Sequence, residues 1–288
     1  MLVNNLKSNI MKNETVIDLP WNNKVFVIAE IGINHGGDIE IAKKLIDSAK
    51  RAGADAVKFQ TYKTEKRTPI DSPIFGVLKK CELPFLAFAE LKKYSEENSI
   101  IFFSTPFDDE SVDFLESINN PIYKIASFDV ANLPFLKKIA KTGKPIIISV
   151  GMSDLDEITN AIRLLQEHDS SVALLHCISA YPTEEKDSNL AAIHKLTNTF
   201  KENVIGLSDH TNDIFVPLLS VSAGARIVEK HFKISDDMDC IDAVVSISEE
   251  KMKELVNQIR RVELILGSGK IEISEIEKEL LWLKRKAD

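Results

Sequence analysis

Polar and charged residues stand at or near the ends of eight short apolar runs along the chain. The run ends carry Glu30, Lys58 with Gln60, Thr105, Lys124 with Ser127, Ser149, His176 with Ser179, Ser208 with His210, and Glu229 with His231. A parallel strand buried on both faces is nearly all apolar, and a charge inside it is costly unless it is compensated. Because all eight runs carry polar or charged residues at or near the same end, we predict that these side chains meet in one polar site.

Two of these residues are candidate metal ligands. His210 and His231 end the seventh and eighth runs, which would be neighbours in a closed barrel. Two imidazoles on adjacent strand ends can hold one divalent cation, with water or substrate oxygens in the remaining positions. The alternative is that both histidines are hydrogen-bonded side chains that line a polar pocket.

Two lysines and four serines predict an anion site. Lys58 and Lys124 lie inside apolar runs, where an exposed surface position is excluded. Hydroxyl donors at matching run ends are Ser127, Ser149, Ser179 and Ser208. Together these residues indicate a phosphate and a carboxylate held side by side. Two alternatives stay open: a lysine that forms a Schiff base, and serines that only cap the following helices.

Helical patterns separate the apolar runs. Apolar residues at 41, 42, 45, 46 and 49 have helical spacing, and similar patterns cover 85–98, 109–118, 133–142, 154–167, 187–200, 213–223 and 248–266. Eight strand–helix repeats predict a (β/α)8 TIM barrel over residues 21–270. A doubly wound sheet would instead need a glycine-rich dinucleotide turn, and Gly32, Gly36 and Gly37 lack that spacing.

Three segments stand apart from the repeats. Residues 1–20 are a polar lead-in, expected to form a short strand or hairpin under the barrel, and residues 271–288 are predicted to form a charged helical tail. The longest connection, 61–83, falls on the side of the predicted site. A connection of that length is more often functional than idle.

Composition limits the classes of protein. The chain has 288 residues, 44% of them hydrophobic and 28% charged, which is typical of a globular protein with a substantial core. A net charge of −8 disfavours a nucleic-acid-binding surface. Cys81, Cys177 and Cys240 are few and widely spaced, which favours a cytoplasmic protein without disulfides or a thiolate zinc site. No secretory signal is recognisable, and no apolar stretch reaches the roughly 18 residues of a membrane span.

The order of the motifs resembles one family. AEIGINHGG, VKFQT, STPFD, YKIAS, SVGMS, LHCISAYPT, GLSDHT and EKHF are similar to motifs of the sialic acid synthases, over about residues 25–270. The resemblance implies a TIM barrel that uses a divalent metal, Mn²⁺ or Mg²⁺. Such enzymes condense phosphoenolpyruvate with an open-chain N-acyl amino sugar to give a nonulosonic acid and phosphate, with cleavage of the C–O bond.

The resemblance also implies roles for individual residues. His210 and His231 correspond to the metal ligands, and the phosphoenolpyruvate site corresponds to Lys58, Lys124, Ser127, Ser149 and Ser208. Glu30, Tyr181 and Asp242 match positions that handle the amino sugar, with Gln60 in the same pocket. Glu30, Lys58, Lys124 and Asp242 are therefore the candidate catalytic residues. Either Glu30 or Asp242 would position the aldehyde or the water.

The chain departs from the family pattern in the sugar half of the site. Ser179 stands where the family usually has asparagine, Ala180 follows it, and Cys240-Ile241 replaces the usual glycine–proline. Family members usually carry a C-terminal antifreeze-like domain, which in the dimer sends an arginine into the neighbour's sugar site, so the resemblance implies a homodimer. We expect no such domain within these 288 residues, so a separate antifreeze-like protein could supply it. The other hypotheses are a Schiff-base aldolase using Lys58 or Lys124, and a non-catalytic partner subunit that binds phosphoenolpyruvate or a sugar.

Overall fold

A computed structural model describes residues 19–285 except 22 and 169, and it contains a closed barrel of eight parallel strands. The strands are β1 (Phe26–Gly32), β2 (Ala56–Thr61), β3 (Ile101–Pro106), β4 (Tyr123–Ile125), β5 (Ile146–Ser149), β6 (Val172–Cys177), β7 (Val204–Asp209) and β8 (Ile227–His231). They follow one another around the barrel in chain order, and β8 pairs with β1. The predicted (β/α)8 TIM barrel is confirmed.

Helices cover the outside of the barrel. They are α1 (Ile39–Ala52), α2 (Thr64–Arg67), α3 (Phe75–Cys81), α4 (Phe85–Glu97), α5 (Asp109–Ser117), α6 (Leu133–Ala140), α7 (Leu155–Gln166), α8 (Ala191–Thr199), α9 (Phe215–Ser222), α10 (Glu249–Leu266) and α11 (Glu275–Lys278). The ends of α1 show why the helices stop where they do. Asp38 accepts hydrogen bonds from two N–H groups of the first turn, and Gly53 ends the helix in a left-handed conformation. In the described part of the chain, no helix has the length and apolar character to cross a bilayer.

The interior of the barrel is apolar at the end where the strands begin. Trp21 is buried against Phe26 with their ring centroids 6.0 Å apart, and both belong to a cluster that includes Ile147 and Ile227. A second apolar layer lies between the strands and the helices. Because the strand beginnings are closed by apolar packing, the open end of the barrel is the end where the strands finish. That end carries the predicted polar residues.

The 61–83 connection folds against the open end. It contains the short helices α2 and α3. Within the connection, the Tyr62 hydroxyl donates to the carbonyl of Leu78 over 2.9 Å, and the Thr64 hydroxyl donates to Glu82 over 2.7 Å. The backbone N–H of Lys63 donates to Asp108 Oδ2 over 2.8 Å and ties the connection to the segment after β3. The connection therefore contributes a fixed wall to the mouth of the barrel.

The two terminal segments are described only in part. Residues 1–18 of the predicted lead-in lie outside the described residues, as do 286–288 of the tail. Within 271–285, helix is limited to α11 and to one 3-10 turn, Leu281–Leu283, where a continuous helix was predicted. The apolar side chains of this stretch are exposed, so no packing stabilises a longer helix.

Candidate active site

One cavity of about 380 Å³ occupies the open end of the barrel. It contains all twelve side chains to which a role was predicted: Glu30, Lys58, Gln60, Lys124, Ser127, Ser149, Ser179, Tyr181, Ser208, His210, His231 and Asp242. They come from β1, β2, β4, β5, β7 and β8, and from the segments that follow β4, β6, β7 and β8. The parallel strands bring together residues up to 212 positions apart because their ends meet on one side of the barrel.

The floor of the cavity is a cluster of two lysines and two carboxylates. Lys58 Nζ lies 2.7 Å from Glu30 Oε2 and 3.7 Å from Glu229 Oε1. Lys124 Nζ lies 3.4 Å from the same oxygen of Glu229. All four side chains are buried, so each charge depends on its partners in place of water. The formal charges of the two lysines and two carboxylates add up to zero.

The two lysines differ in their proton affinity. Burial opposes the charge of Lys58, but Glu229 and Glu30 outweigh this effect and raise its pKa. For Lys124 burial dominates and lowers the pKa, since its one close carboxylate, Glu229, compensates it only in part. Lys58 is therefore a fixed positive charge, whereas Lys124 is the lysine that gains more from an added anion.

Glu229 links the two lysines, although sequence reasoning gave it no role. Ser208 Oγ donates to Glu229 Oε1 over 3.0 Å, and Glu229 Oε2 is buried without a hydrogen bond among the described residues. Burial opposes its charge, but Lys124 and Lys58 outweigh burial and lower the pKa of Glu229 to about 2. Glu229 is one of the polar residues of the eighth apolar run, but its contacts with the lysines can be seen only in the tertiary structure.

Glu229→Gln is a test of this floor. We expect the variant to bind inorganic phosphate about tenfold more tightly, because both lysines lose the carboxylate that competes with an added anion. Isothermal titration calorimetry at neutral pH would measure the difference. Weaker phosphate binding by the variant would contradict the idea that Glu229 competes with an added anion for the lysines.

The native pKa of about 2 also means that the stabilisation from Glu229 is complete above pH 4.5 and is lost as the pH falls toward 2.

Serine hydroxyls surround one side of the floor. The backbone N–H of Gly151 donates to Ser127 Oγ over 3.1 Å, while Ser149 Oγ is buried without a hydrogen-bond partner among the described residues. Ser179 Oγ lies 4.0 Å from the sulfur of Cys177. A buried hydroxyl without a partner is rare unless a ligand or water satisfies it. The predicted serines therefore form an oxygen-binding wall, which we call the serine wall (Ser127, Ser149, Ser179).

Gly151→Ala should damage the serine wall without touching a charge. A Cβ atom at Gly151 would lie 2.6 Å from Ser179 Oγ, 2.9 Å from the Cys177 carbonyl and 3.0 Å from Ser127 Oγ. Since a backbone carbonyl cannot move aside cheaply, we expect phosphate affinity to fall about tenfold or more. Gly76→Ala in α3 is the matched control, because its Cβ would meet nothing within 4 Å. Equal phosphate affinity in both variants would contradict the prediction.

The two histidines lie together on another part of the cavity wall, and His210 Nδ1 lies 3.8 Å from the sulfur of Cys177. Their ring centroids are 5.4 Å apart, and the ring of Tyr181 stacks on His210 at 4.1 Å. His210 Nδ1 bonds to the carbonyl of Ile178 over 2.8 Å, which makes Nδ1 the donor and leaves Nε2 with its lone pair free. His231 Nδ1 is buried without a hydrogen bond among the described residues and lies 3.4 Å from Asp242 Oδ2.

The donor atoms of this wall fit a divalent cation. The contact of His210 Nδ1 with a backbone carbonyl leaves Nε2 of that ring as the possible ligand. The buried Nδ1 of His231 has no hydrogen bond among the described residues and lies beside the carboxylate of Asp242. Within the described part of the chain, no group of three or more His, Cys, Asp or Glu side chains is arranged to hold a metal ion. The protein thus offers two imidazoles, and further ligands would have to come from substrate or water.

A buried ion pair outside the cavity links the two strand ends that carry the histidines. Asp209 and Lys230 are register partners on β7 and β8, and Lys230 Nζ lies 2.7 Å from Asp209 Oδ2. Lys230 also donates to the carbonyl of Thr211, next to His210. Because side chains alternate along a strand, this pair points outward while His210 and His231 point inward. The pair joins the two strand ends behind the histidines.

Asp242 and Glu30 flank the upper part of the cavity. Asn34 accepts a hydrogen bond from the backbone N–H of Asp242 over 2.9 Å, which fixes the loop after β8. Burial opposes the charge of Asp242, but His231 and His210 outweigh it and lower its pKa. Gln60 Nε2 donates to Glu30 Oε1 over 3.2 Å. The carboxylate of Asp242 therefore stays ionised beside the histidines.

Some cavity residues were not predicted, and one predicted strand-end residue lies elsewhere. Arg67 and Cys177 line the cavity, in addition to Glu229. His176 faces away from it, and its Nε2 bonds to the carbonyl of Ser188 over 2.8 Å. The alternation of side chains along β6 could have identified Cys177, whereas nothing in the residue types or spacing of 61–83 pointed to Arg67.

The fold and the site define a class of protein. A TIM barrel with a floor of lysines and carboxylates, a serine wall and two histidines at its open end has the composition of an anion-handling barrel enzyme. The sequence model of the NeuB family matches residues 45–271. The chain belongs to the NeuB family.

Individual relatives agree with this membership. The chain is 48% identical over 245 residues to an uncharacterized protein of Methanocaldococcus jannaschii, covering 85% of this chain and 72% of the relative. It is 39% identical to the N,N'-diacetyllegionaminic acid synthase of Campylobacter jejuni, covering 92% and 84%. A crystal structure of the N-acetylneuraminic acid synthetase of Leptospira borgpetersenii in complex with citrate is 39% identical, with a TM-score of 0.88, covering 91% and 92%.

Proposed function

We propose that this protein condenses phosphoenolpyruvate with an open-chain N-acyl amino sugar, giving a nonulosonic acid and inorganic phosphate. Family membership supports carbon–carbon bond formation of this type, since relatives are named as synthases of sialic, legionaminic and pseudaminic acids. The observation that carries the proposal is that Lys58, Lys124 and the serine wall share one cavity with His210 and His231.

The floor is suited to hold phosphoenolpyruvate. Lys124, which has only one close carboxylate, and the unsatisfied hydroxyl of Ser149 would bind its phosphate and carboxylate oxygens. Holding the enol there places its C3 toward the upper cavity, where the sugar aldehyde would lie. This converts an encounter of two substrates into a positioned reaction.

His210 and His231 would hold the metal ion in this proposal. A divalent cation at this wall supplies Lewis acidity toward the aldehyde oxygen. Asp242, 3.4 Å from His231, and Glu30, 2.7 Å from Lys58, are the carboxylates that would orient the aldehyde and the attacking water. The C3–C1 bond forms as the aldehyde oxygen takes up a proton, water adds at C2, and phosphate leaves with its bridging oxygen.

Schiff-base aldolase chemistry is less well supported. Lys58 is ion-paired and its pKa is raised, so it is a poor nucleophile at neutral pH. Lys124 has a lowered pKa and is the lysine to examine. Treatment with borohydride in the presence of pyruvate or an aldehyde sugar, followed by mass spectrometry, would trap an imine on Lys124 if this chemistry occurred.

Release of inorganic phosphate tests the proposal directly. The purified chain would be incubated with phosphoenolpyruvate, Mn²⁺ and a panel that includes N-acetylmannosamine and di-N-acetylated derivatives. We expect sugar-dependent release that stops on addition of a chelator. Phosphate release without a chelator effect would reject the metal assignment, and no release with any sugar would favour a non-catalytic partner subunit.

A further inference from the structure

Arg67 is a cavity residue to which no role has been assigned. It is the last residue of α2, in the 61–83 connection, and its side chain forms part of the cavity wall. A chain of three contacts leads to it from the floor. Lys58 pairs with Glu30 at 2.7 Å, Gln60 Nε2 donates to Glu30 at 3.2 Å, and Arg67 Nη1 donates to Gln60 Oε1 at 3.0 Å. Arg67 therefore stands in the outer layer of the cavity, above the proposed phosphoenolpyruvate site.

The guanidinium group of Arg67 is held in a fixed position. Its central carbon lies 3.8 Å from the ring centre of Phe107 and 4.6 Å from that of Tyr62. Flat aromatic surfaces favour a planar cation and restrict its rotation. The Tyr62 ring is itself anchored by its hydroxyl on the Leu78 carbonyl. The protein thus pre-orders a long side chain that would otherwise lose considerable entropy on binding a ligand.

Among the described residues, no carboxylate forms an ion pair with Arg67. Gln60, which accepts its hydrogen bond, is neutral. Both floor lysines, in contrast, have carboxylates within 3.4 Å. Burial lowers the pKa of Arg67, while Tyr62, Asp242, Asp129 and Glu30 oppose that effect from a distance. One of five N–H donors has a protein acceptor in this arrangement, so the others are available to a ligand.

We propose that Arg67 determines acceptor specificity by donating hydrogen bonds to an oxygen of a sugar substituent at the end remote from the aldehyde. The inference rests on the proposed function, because the floor is assigned to phosphoenolpyruvate and the outer layer to the sugar. A charged donor of this kind recognises an amide carbonyl oxygen or a phosphate ester by the same chemistry. The acceptors used in the test distinguish these two sources.

The test compares Arg67→Met with the wild type on both substrates. We expect the KM of the sugar to rise about 10- to 100-fold, while the KM of phosphoenolpyruvate changes less than about twofold. Arg67→Lys should recover only part of the loss, because an ammonium lacks the planar fork. Lys66→Met is the matched control, since Lys66 is the adjacent cation of α2, is exposed and lies outside the cavity wall.

The acceptor panel identifies the substituent. An increase in KM confined to N-acetylmannosamine 6-phosphate indicates a phosphate ester. An increase confined to di-N-acetylated sugars, and absent when the amine remote from the aldehyde is free, indicates an amide carbonyl. Equal increases in the KM of both substrates, or unchanged sugar KM in a folded variant, would overturn the inference. Failure of the wild type to release phosphate with any sugar is a different result, because it rejects the proposed function itself.

Discussion

Lys124→Met is expected to reduce kcat/KM for phosphoenolpyruvate about a thousandfold, which corresponds to ~4 kcal/mol. Methionine preserves most of the buried volume but removes the charge 3.4 Å from Glu229. The floor would then hold two carboxylates and one lysine, so it would repel a trianionic substrate instead of attracting it. Steady-state kinetics with each substrate varied in turn would measure the effect.

The distribution of this effect between the substrates is the informative result. The KM of phosphoenolpyruvate should rise much more than the KM of the sugar, because Lys124 lies in the floor. Lys233→Met is the matched control, since it also removes a buried lysine, but one that lies outside the cavity and donates to the carbonyl of Asp236. Equal increases in both KM values for Lys124→Met would reject its role in phosphoenolpyruvate binding.

His231→Ala is expected to weaken Mn²⁺ binding at least about 100-fold while the barrel still folds. The substitution removes one of the two imidazoles and leaves Asp242 without its neighbour at 3.4 Å. Titration of Mn²⁺ followed by electron paramagnetic resonance measures binding in the absence of substrates. Thermal unfolding of the same sample reports whether the fold is retained.

A second histidine supplies the control for this experiment. His176→Ala also removes a buried imidazole from a barrel strand, but its ring bonds to the Ser188 carbonyl and does not line the cavity. We expect some loss of stability and unchanged Mn²⁺ affinity. If His231→Ala bound Mn²⁺ as well as the wild type did, the proposed metal site would be wrong.

The barrel was predictable because its signal is local and repeated. Each strand is an apolar run and each helix has its own periodicity, so the count of repeats fixes the architecture. The grouping of the site residues followed for the same reason, since strand ends of a parallel barrel share one side. His210 and His231 could be placed as neighbours from strand order alone.

The partners within the site could not be predicted in this way. Strand position brings Glu229 to the mouth, but only the tertiary structure shows that it lies between Lys58 and Lys124. Arg67 sits on a short helix in a connection, where no periodicity constrains the direction of its side chain. Its role depends on contacts with Phe107, 40 residues further along the chain.

The Asp209–Lys230 pair connects the outside of the barrel to the residues of the cavity. Both residues are buried on the side of the barrel wall that faces the helices, and neither borders the cavity. Nevertheless they join the two strand ends that carry the histidines. We therefore expect a substitution at either position to weaken the proposed metal site, although neither residue borders the cavity. The side of the barrel that faces the helices therefore also supports the active site.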